Sequence, residues 1–181
     1  MKRLETEIED LVLLEPAAHG DERGFLLESF REDAWAEHGV EGPFVQENHS
    51  RSGRGILRGL HFQLRPGQAK LVRCVRGTIW DAAVDLRRDS PTYRRWEGYE
   101  LSDRNHRQLY VPAGFGHGFC VLSEEADVHY KLSSYYDPET EAGIRWDDPE
   151  IGVEWPISEP RLSDRDRLAP TLAEVADELP F

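Results

Sequence analysis

Between Gly24 and Tyr135 the chain is broken at roughly ten-residue intervals by Gly, Pro, Asn and Asp, and the stretches between the breaks are too short for ordinary helices. That rhythm predicts strands over Gly24 to Phe30, Phe44 to Ser50, Ile56 to Gln63, Ala69 to Arg76, Thr78 to Leu86, Arg95 to Leu101, Gln108 to Val111, Gly118 to Ser123 and Asp127 to Tyr135. Arg65-Pro66-Gly67, Asp89-Ser90-Pro91 and Pro112-Ala113-Gly114 mark turns between them. Only two segments have a helical pattern. One is Glu32 to His38; the other is Thr171 to Leu179, where Thr171 can cap and Glu174 stands three residues later. Many short strands imply a mainly β fold, most simply an antiparallel jelly-roll barrel with a few short helices, one of them C-terminal. No repeat or linker divides the chain. The expectation is one domain over residues 1–181, with a barrel core from about 10 to 136 and loops with a short helix from about 137 to 181.

The chain has material for a core. Of 181 residues 39% are hydrophobic, and five Trp, six Tyr and seven Phe argue against disorder. The 35 acidic against 22 basic residues leave a net charge of −13, which disfavours nucleic acid as a partner. No window approaches the ~18 consecutive apolar residues of a membrane helix. The start, MKRLETEIED, is charged where a signal peptide needs its apolar segment, so a cytoplasmic protein is expected. Cys74 and Cys120 are far apart and lie in apolar runs, which reads as buried free thiols with no metal or disulfide role.

The charge is unevenly spread. From Arg51 to Arg76 there are seven basic residues and no acid, whereas Asp137 to Phe181 holds thirteen acids against four arginines. A basic run is compatible with outward-facing, solvated arginines, and equally with a local site for a phosphate or nucleotide. Charges beyond about 8 Å are largely screened at physiological ionic strength, so the global charge does not forbid such a site.

Alternation sorts the polar residues by face. Tyr130 shares a face with Val128 and Leu132, opposite His129 and Lys131; Lys70 shares one with Val72 and Cys74, opposite Leu71 and Arg73. Both faces of the Lys70 strand carry apolar residues, so periodicity alone leaves open which is inward. An inward lysine has to be paired or line a cavity. Arg58 and His61 have opposite parity, so both reach one cavity only if their strand bulges near Gly59.

Pro112-Ala113-Gly114-Phe115-Gly116-His117 has the form P-x-G-x-x-H and resembles the second signature of the cupin superfamily. Metal-binding cupins add an H-x-H pair and a Glu. Here the corresponding strand reads Gly59-Leu60-His61-Phe62-Gln63 and no Glu follows before Gly77, so a metal site is under-liganded and none is expected. Two imidazoles can instead move protons.

A wider resemblance covers nearly the whole chain. Asp21-Glu22-Arg23-Gly24-Phe25, Gln46-Glu47-Asn48-His49-Ser50, Leu57-Arg58-Gly59-Leu60-His61-Phe62-Gln63, Ser90-Pro91-Thr92, Gly116-His117-Gly118-Phe119 and Leu162-Ser163-Asp164-Arg165-Asp166 occur in that order, with Gln68-Ala69-Lys70, Tyr130-Lys131 and Glu141-Ala142-Gly143-Ile144 among them. Together they are similar to the dTDP-4-dehydrorhamnose 3,5-epimerase family. The resemblance implies a cupin-type jelly roll that inverts C3 and C5 of dTDP-4-dehydro-6-deoxyglucose in dTDP-L-rhamnose biosynthesis, without cofactor or metal, as a homodimer. Both carbons flank the C4 ketone. Loss of either proton gives an enolate whose charge collects on the C4 oxygen, so the chemistry needs a base, an acid on the opposite face and an electrophile at that oxygen.

By the same resemblance His61 is the base, Tyr130 the acid, Asp166 the carboxylate that orients His61, and Lys70 the group facing the C4 oxygen. It further carries Arg23, Glu28, Gln46, Asn48, Arg58, His117, Glu141 and Arg165 as substrate-binding residues. Guanidinium forks suit a pyrophosphate, Phe25 or Tyr136 can stack on base or sugar, and Asp81 is a candidate partner for His117. The family usually has Lys where Arg165 stands. Rival expectations are a mono-epimerase acting at C3 or C5 only, a sugar ketoisomerase, and a non-catalytic cupin that binds a sugar nucleotide.

Overall fold

A computed structural model describes all 181 residues. Thirteen strands run β1 Lys2–Leu4, β2 Val12–Glu15, β3 Ala18–Asp21, β4 Gly24–Leu27, β5 Gln46–Gly53, β6 Leu57–Gln63, β7 Lys70–Arg76, β8 Thr78–Asp85, β9 Trp96–Ser102, β10 Gln108–Val111, β11 Phe115–Val121, β12 Glu125–Leu132 and β13 Glu141–Gly143. Three helices join them: α1 Glu32–Ala36, α2 Asp164–Arg167 and α3 Leu172–Val175. A six-stranded antiparallel sheet in the order β1-β2-β10-β7-β12-β5 faces a five-stranded one in the order β13-β6-β11-β8-β9, and β3-β4 form a separate hairpin. This is the mainly β jelly roll the strand rhythm predicts.

The sheets enclose an apolar filling. Val72 and Cys74 of β7, Ile79 and Ala83 of β8, Leu109 and Val111 of β10, Phe115 and Phe119 of β11 and Val128 of β12 meet between them. The outer face of each sheet is partly covered as well. Leu71, Tyr110, Val12 and Leu14 pack under Trp35 of α1, while Leu60, Phe62, Val84 and Leu86 pack against Leu172, Leu179 and Ile151 of the last third. Leu71 thus lies outside and Val72 inside, which settles the Lys70 face: it points between the sheets.

Several boundaries differ from expectation. β1, β2, β3 and β13 were not predicted, and the sheet begins at Lys2, before residue 10. Val12-Leu13-Leu14 shows no alternation because Leu13 faces the inner core and Val12 and Leu14 the outer one. β11 begins at Phe115, three residues early, and β12 spans Glu125–Leu132, where Asp127 to Tyr135 was expected. At the C-terminus Thr171 and Glu174 form the expected capping box.

The bulge required near Gly59 is present. Across β11, His117 pairs with His61 but Phe119 pairs with Arg58, so β6 carries one extra residue there. The extra residue brings Arg58 and His61 to the same face. Gly59 has φ +137, and a Cβ on it would lie 2.5 Å from the Gly118 Cα, so no side chain fits at this approach.

Candidate active site

One end of the interior is polar and open. A cavity of about 470 Å³ lies there, lined from β5, β6, β7, β11, β12 and β13 by residues including Gln46, Asn48, Ser50, Arg58, His61, Lys70, His117, Tyr130, Tyr136 and Glu141. Phe119, Leu132 and Phe62 form its apolar parts. The β5 residues arrive there because Gln46, Asn48 and Ser50 share one parity, while Glu47, His49 and Arg51 face out.

His61 on β6 meets Asp166 at 2.5 Å between Nε2 and Oδ1. Asp166 comes from α2, 105 residues away in sequence. Ser163 caps that helix and accepts the Asp166 backbone N–H at 3.1 Å. The tail is anchored just upstream, where Ile56 and Arg161 form a parallel bridge and the Arg161 N–H donates to the Gly55 carbonyl at 2.7 Å. With Nε2 held by Asp166, Nδ1 is the free nitrogen of His61. Burial raises the Asp166 pKa, but the hydrogen bond and charge of His61, with smaller contributions from Ser163 and Arg165, outweigh it and hold the carboxyl below its usual value.

Lys70, only 8% exposed, donates from Nζ to the His61 carbonyl at 3.0 Å. Burial lowers its pKa to about 8, with Asp81 and Glu141 opposing the shift. Beside it His117 Nε2 contacts both Asp81 oxygens at 3.0 Å, as expected of that pair. Burial lowers the His117 pKa, more strongly than Asp81 raises it. The Tyr130 hydroxyl accepts from Asn48 Nδ2 at 3.3 Å, leaving its own proton free to donate. Gln46 Nε2 donates to Asn48 Oδ1 at 2.9 Å, and Gln46 Oε1 accepts the Tyr136 N–H at 2.9 Å. At the rim Glu141 Oε2 accepts from Tyr136 Oη at 2.7 Å and from Arg165 Nη1 at 2.5 Å. Arg58 Nε donates to Ser52 Oγ at 3.1 Å, and no carboxylate pairs with its guanidinium.

The cavity thus gathers eleven of the fourteen expected residues directly or through one bond. Arg23, Phe25 and Glu28 stand apart on and after the β3-β4 hairpin. Arg23 pairs with Asp21, Glu28 with Arg31, and Phe25, 62% exposed, lies against His106 with ring centroids 4.7 Å apart. Of the seven basic residues between Arg51 and Arg76, only Arg58 and Lys70 line the cavity; Arg51 pairs with Asp127 and Arg76 with Glu125. Arg51 and Arg76 are thus outward and paired, while Arg58 and Lys70 face the cavity. Sequence reasoning missed Ser50, Gln63 and Gln68 on the wall. Ser50 was legible from its parity with Gln46 and Asn48. Gln63 and Gln68 tie the wall to the following loop, with Gln63 Nε2 on the Asp137 carbonyl at 2.6 Å and Gln68 Nε2 on the Ser134 carbonyl at 3.0 Å.

An imidazole–carboxylate pair, a phenol, a desolvated ammonium and an unpaired guanidinium around one cavity define a cupin-type jelly roll equipped for proton transfer on a small anion. The family model for dTDP-4-dehydrorhamnose 3,5-epimerase matches residues 5–174. The Shigella flexneri dTDP-4-dehydrorhamnose 3,5-epimerase is 52% identical over 92% of this chain and 93% of that protein. A crystal structure of a Legionella pneumophila dTDP-6-deoxy-D-glucose-3,5-epimerase, in complex with dTDP-4-keto-L-rhamnose, superposes with a TM-score of 0.95 at 45% identity, covering 98% of this chain and 96% of that one. A Streptomyces niveus dTDP-4-dehydrorhamnose 3-epimerase is 46% identical over 94% of this chain and 83% of that protein. The chain belongs to the dTDP-4-dehydrorhamnose 3,5-epimerase family. No helix in it is long and apolar enough to cross a membrane.

Proposed function

We propose that this protein inverts C3 and C5 of dTDP-4-dehydro-6-deoxyglucose, in the cytoplasm and in the route to dTDP-L-rhamnose. The observation that carries the reading is the His61–Asp166 pair at 2.5 Å on the wall of a cavity that also holds Tyr130 and Lys70. His61 Nδ1 takes the proton from the carbon next to the ketone. The C–H bond electrons move into the C–C bond and onto the C4 oxygen, where the Lys70 ammonium stabilises the enolate. Tyr130 returns a proton to the opposite face, and the configuration inverts. Asp166 fixes the imidazole and stabilises the imidazolium that forms. Arg58 and Arg165 bind the diphosphate, Gln46 and Asn48 read the base edge, and Tyr136 stacks on base or sugar.

The protein acts as a homodimer in this reading. Arg23, Phe25 and Glu28 lie outside their own cavity, on and just after a hairpin with Phe25 and Leu26 exposed, and reach a cavity by crossing to a second copy. The Streptomyces niveus relative favours a second reading, inversion at one carbon only. Incubation with dTDP-4-dehydro-6-deoxyglucose in D₂O, read by NMR, separates them. Deuterium at both C3 and C5 is expected; label at one carbon selects the mono-epimerase, and no label at either overturns the enzymatic reading.

A further inference from the structure

Inversion at one carbon leaves the cavity out of balance. In the proposed mechanism His61 Nδ1 has then gained the proton taken from carbon, and the Tyr130 hydroxyl has lost the one it gave. A second inversion within the same complex needs both groups restored. The wall holds one accessible imidazole bonded to a carboxylate and one inward phenol, so the same two groups have to serve twice. The base carries a proton that the acid lacks, and the cavity needs a group that moves it across.

Lys70 is the titratable group next to both. Its Nζ donates to the carbonyl of His61 itself at 3.0 Å. On the other side β7 and β12 pair so that Lys70 stands opposite Leu132, which makes the inward Tyr130, two residues along, its diagonal neighbour. Diagonal pairs on adjacent strands lie about 7 Å apart, within reach of long and aromatic side chains. The other groups on the wall are committed elsewhere. His117 Nε2 contacts both Asp81 oxygens at 3.0 Å, and burial disfavours its charged form more strongly than Asp81 favours it. Glu141 accepts from Tyr136 and Arg165, which keep it ionised against its burial. Arg58 does not release a proton. Lys70 is bonded only to a main-chain carbonyl, while Asp81 and Glu141 act on it through space, so a proton leaves Nζ without breaking an ion pair. Its acidity fits as well, since burial lowers its pKa to about 8. An ordinary imidazolium is a stronger acid than such an ammonium and an ordinary phenol a weaker one, so transfer from imidazolium to amine and from ammonium to phenolate both run downhill.

We propose that Lys70 is a proton relay that resets the site between two inversions. Its ammonium gives a proton to the Tyr130 phenolate: an N–H bond breaks, an O–H bond forms and a neutral amine is left. The amine lone pair then takes the proton held by His61 Nδ1. Base, acid and ammonium are all restored, with no net proton gained from or lost to solvent. The relay rests on the epimerase reading above and adds a second duty to the contact of Lys70 with the enolate.

Rapid quench in D₂O with dTDP-4-dehydro-6-deoxyglucose, with deuterium counted by NMR per active site, tests it. The wild-type protein is expected to label both carbons without a pause. Lys70→Arg keeps a cation for the enolate but cannot give up a proton. It is expected to place about one label per site and then slow by roughly 10²-fold, the contribution of a positioned proton-transfer group. Lys70→Met covers the case in which arginine does not fit. Methylammonium is expected to speed that variant, and tetramethylammonium, which carries the charge and no proton, to leave it slow. Labelling of both carbons by Lys70→Arg with no slow phase overturns the relay. So does equal rescue of Lys70→Met by the two ions, which reduces Lys70 to a charge. Label at one carbon only in the wild-type protein removes the second inversion and the relay with it, whereas no label at either removes the enzymatic reading itself.

Discussion

Two histidines on neighbouring strands of one sheet each meet a carboxylate, and the construction of the two pairs separates them. His117 and Asp81 come from β11 and β8, which are hydrogen-bonded along their length, and both side chains are almost wholly buried. His61 and Asp166 come from β6 and the C-terminal tail, and the imidazole retains about a quarter of its side-chain surface. The first pair is fixed by the sheet and its imidazole is held neutral by burial. The second couples an accessible ring to an ionised carboxylate, the arrangement that suits a base gaining and losing a proton within each turnover. In the proposed mechanism, identical residue types thus divide into one that moves a proton and one that holds position.

The largest expected effect is His61→Ala, which should lower deuterium exchange by about 10⁴-fold, the upper range for a positioned proton-transfer group. The dTDP affinity should stay close to wild type, while the Tm falls because the buried Asp166 carboxylate loses its partner. Asp166→Asn keeps the shape but removes the charge, and a loss of about 10³-fold in exchange is expected. Lys70→Met should lower exchange by roughly 10²-fold as the enolate loses its electrophile, while the Tm rises. A pKa lowered from 10.5 to about 8 corresponds to about 3 kcal/mol against the buried ammonium at neutral pH, an upper bound on the gain because the bond to the His61 carbonyl is also lost.

The same lysine sets a pH dependence. Between about pH 8 and 10.5 the unfolded chain holds a proton that folded Lys70 has released, so the contribution of this group to stability rises with pH across that window. Exchange should fall over the same range, and parallel melting and rate profiles check both slopes. Asp81→Asn should have the smallest effect on rate, less than about tenfold. It should nevertheless lower stability by about 1 kcal/mol, since the neutral His117 imidazole keeps an amide acceptor but loses a charged one. A rate loss for Asp81→Asn as deep as that for Asp166→Asn would break the comparison.

The two pairs also differ in how legible they were. Alternation placed Tyr130 inside, and the parity conflict between Arg58 and His61 was enough to locate the bulge at Gly59. His117 was visible in P-x-G-x-x-H. The Lys70 face was not decidable, because a sheet packed on both faces gives β7 apolar residues of either parity. Asp166 carries almost no local signal beyond the Ser163 cap three residues before it, and no periodicity links a four-residue helix to a strand so far upstream. Arg23, Phe25 and Glu28, on and just after the hairpin, were assigned to the site by resemblance, and the geometry of one chain leaves them outside it.

The tail carrying Asp166 has a consequence for the order in which the protein is assembled. Every strand of both sheets is complete once Gly143 has been made, yet the base still lacks its carboxylate. Those strands are not yet a finished barrel either, because Leu60, Phe62, Val84 and Leu86 on the outer face are covered only when Ile151, Leu172 and Leu179 arrive. Proteolytic loss of the α2 segment would leave His61 without its carboxylate. In the proposed mechanism, competence to react is thereby tied to a stretch of polypeptide that belongs to neither sheet and is synthesised after every strand that it serves.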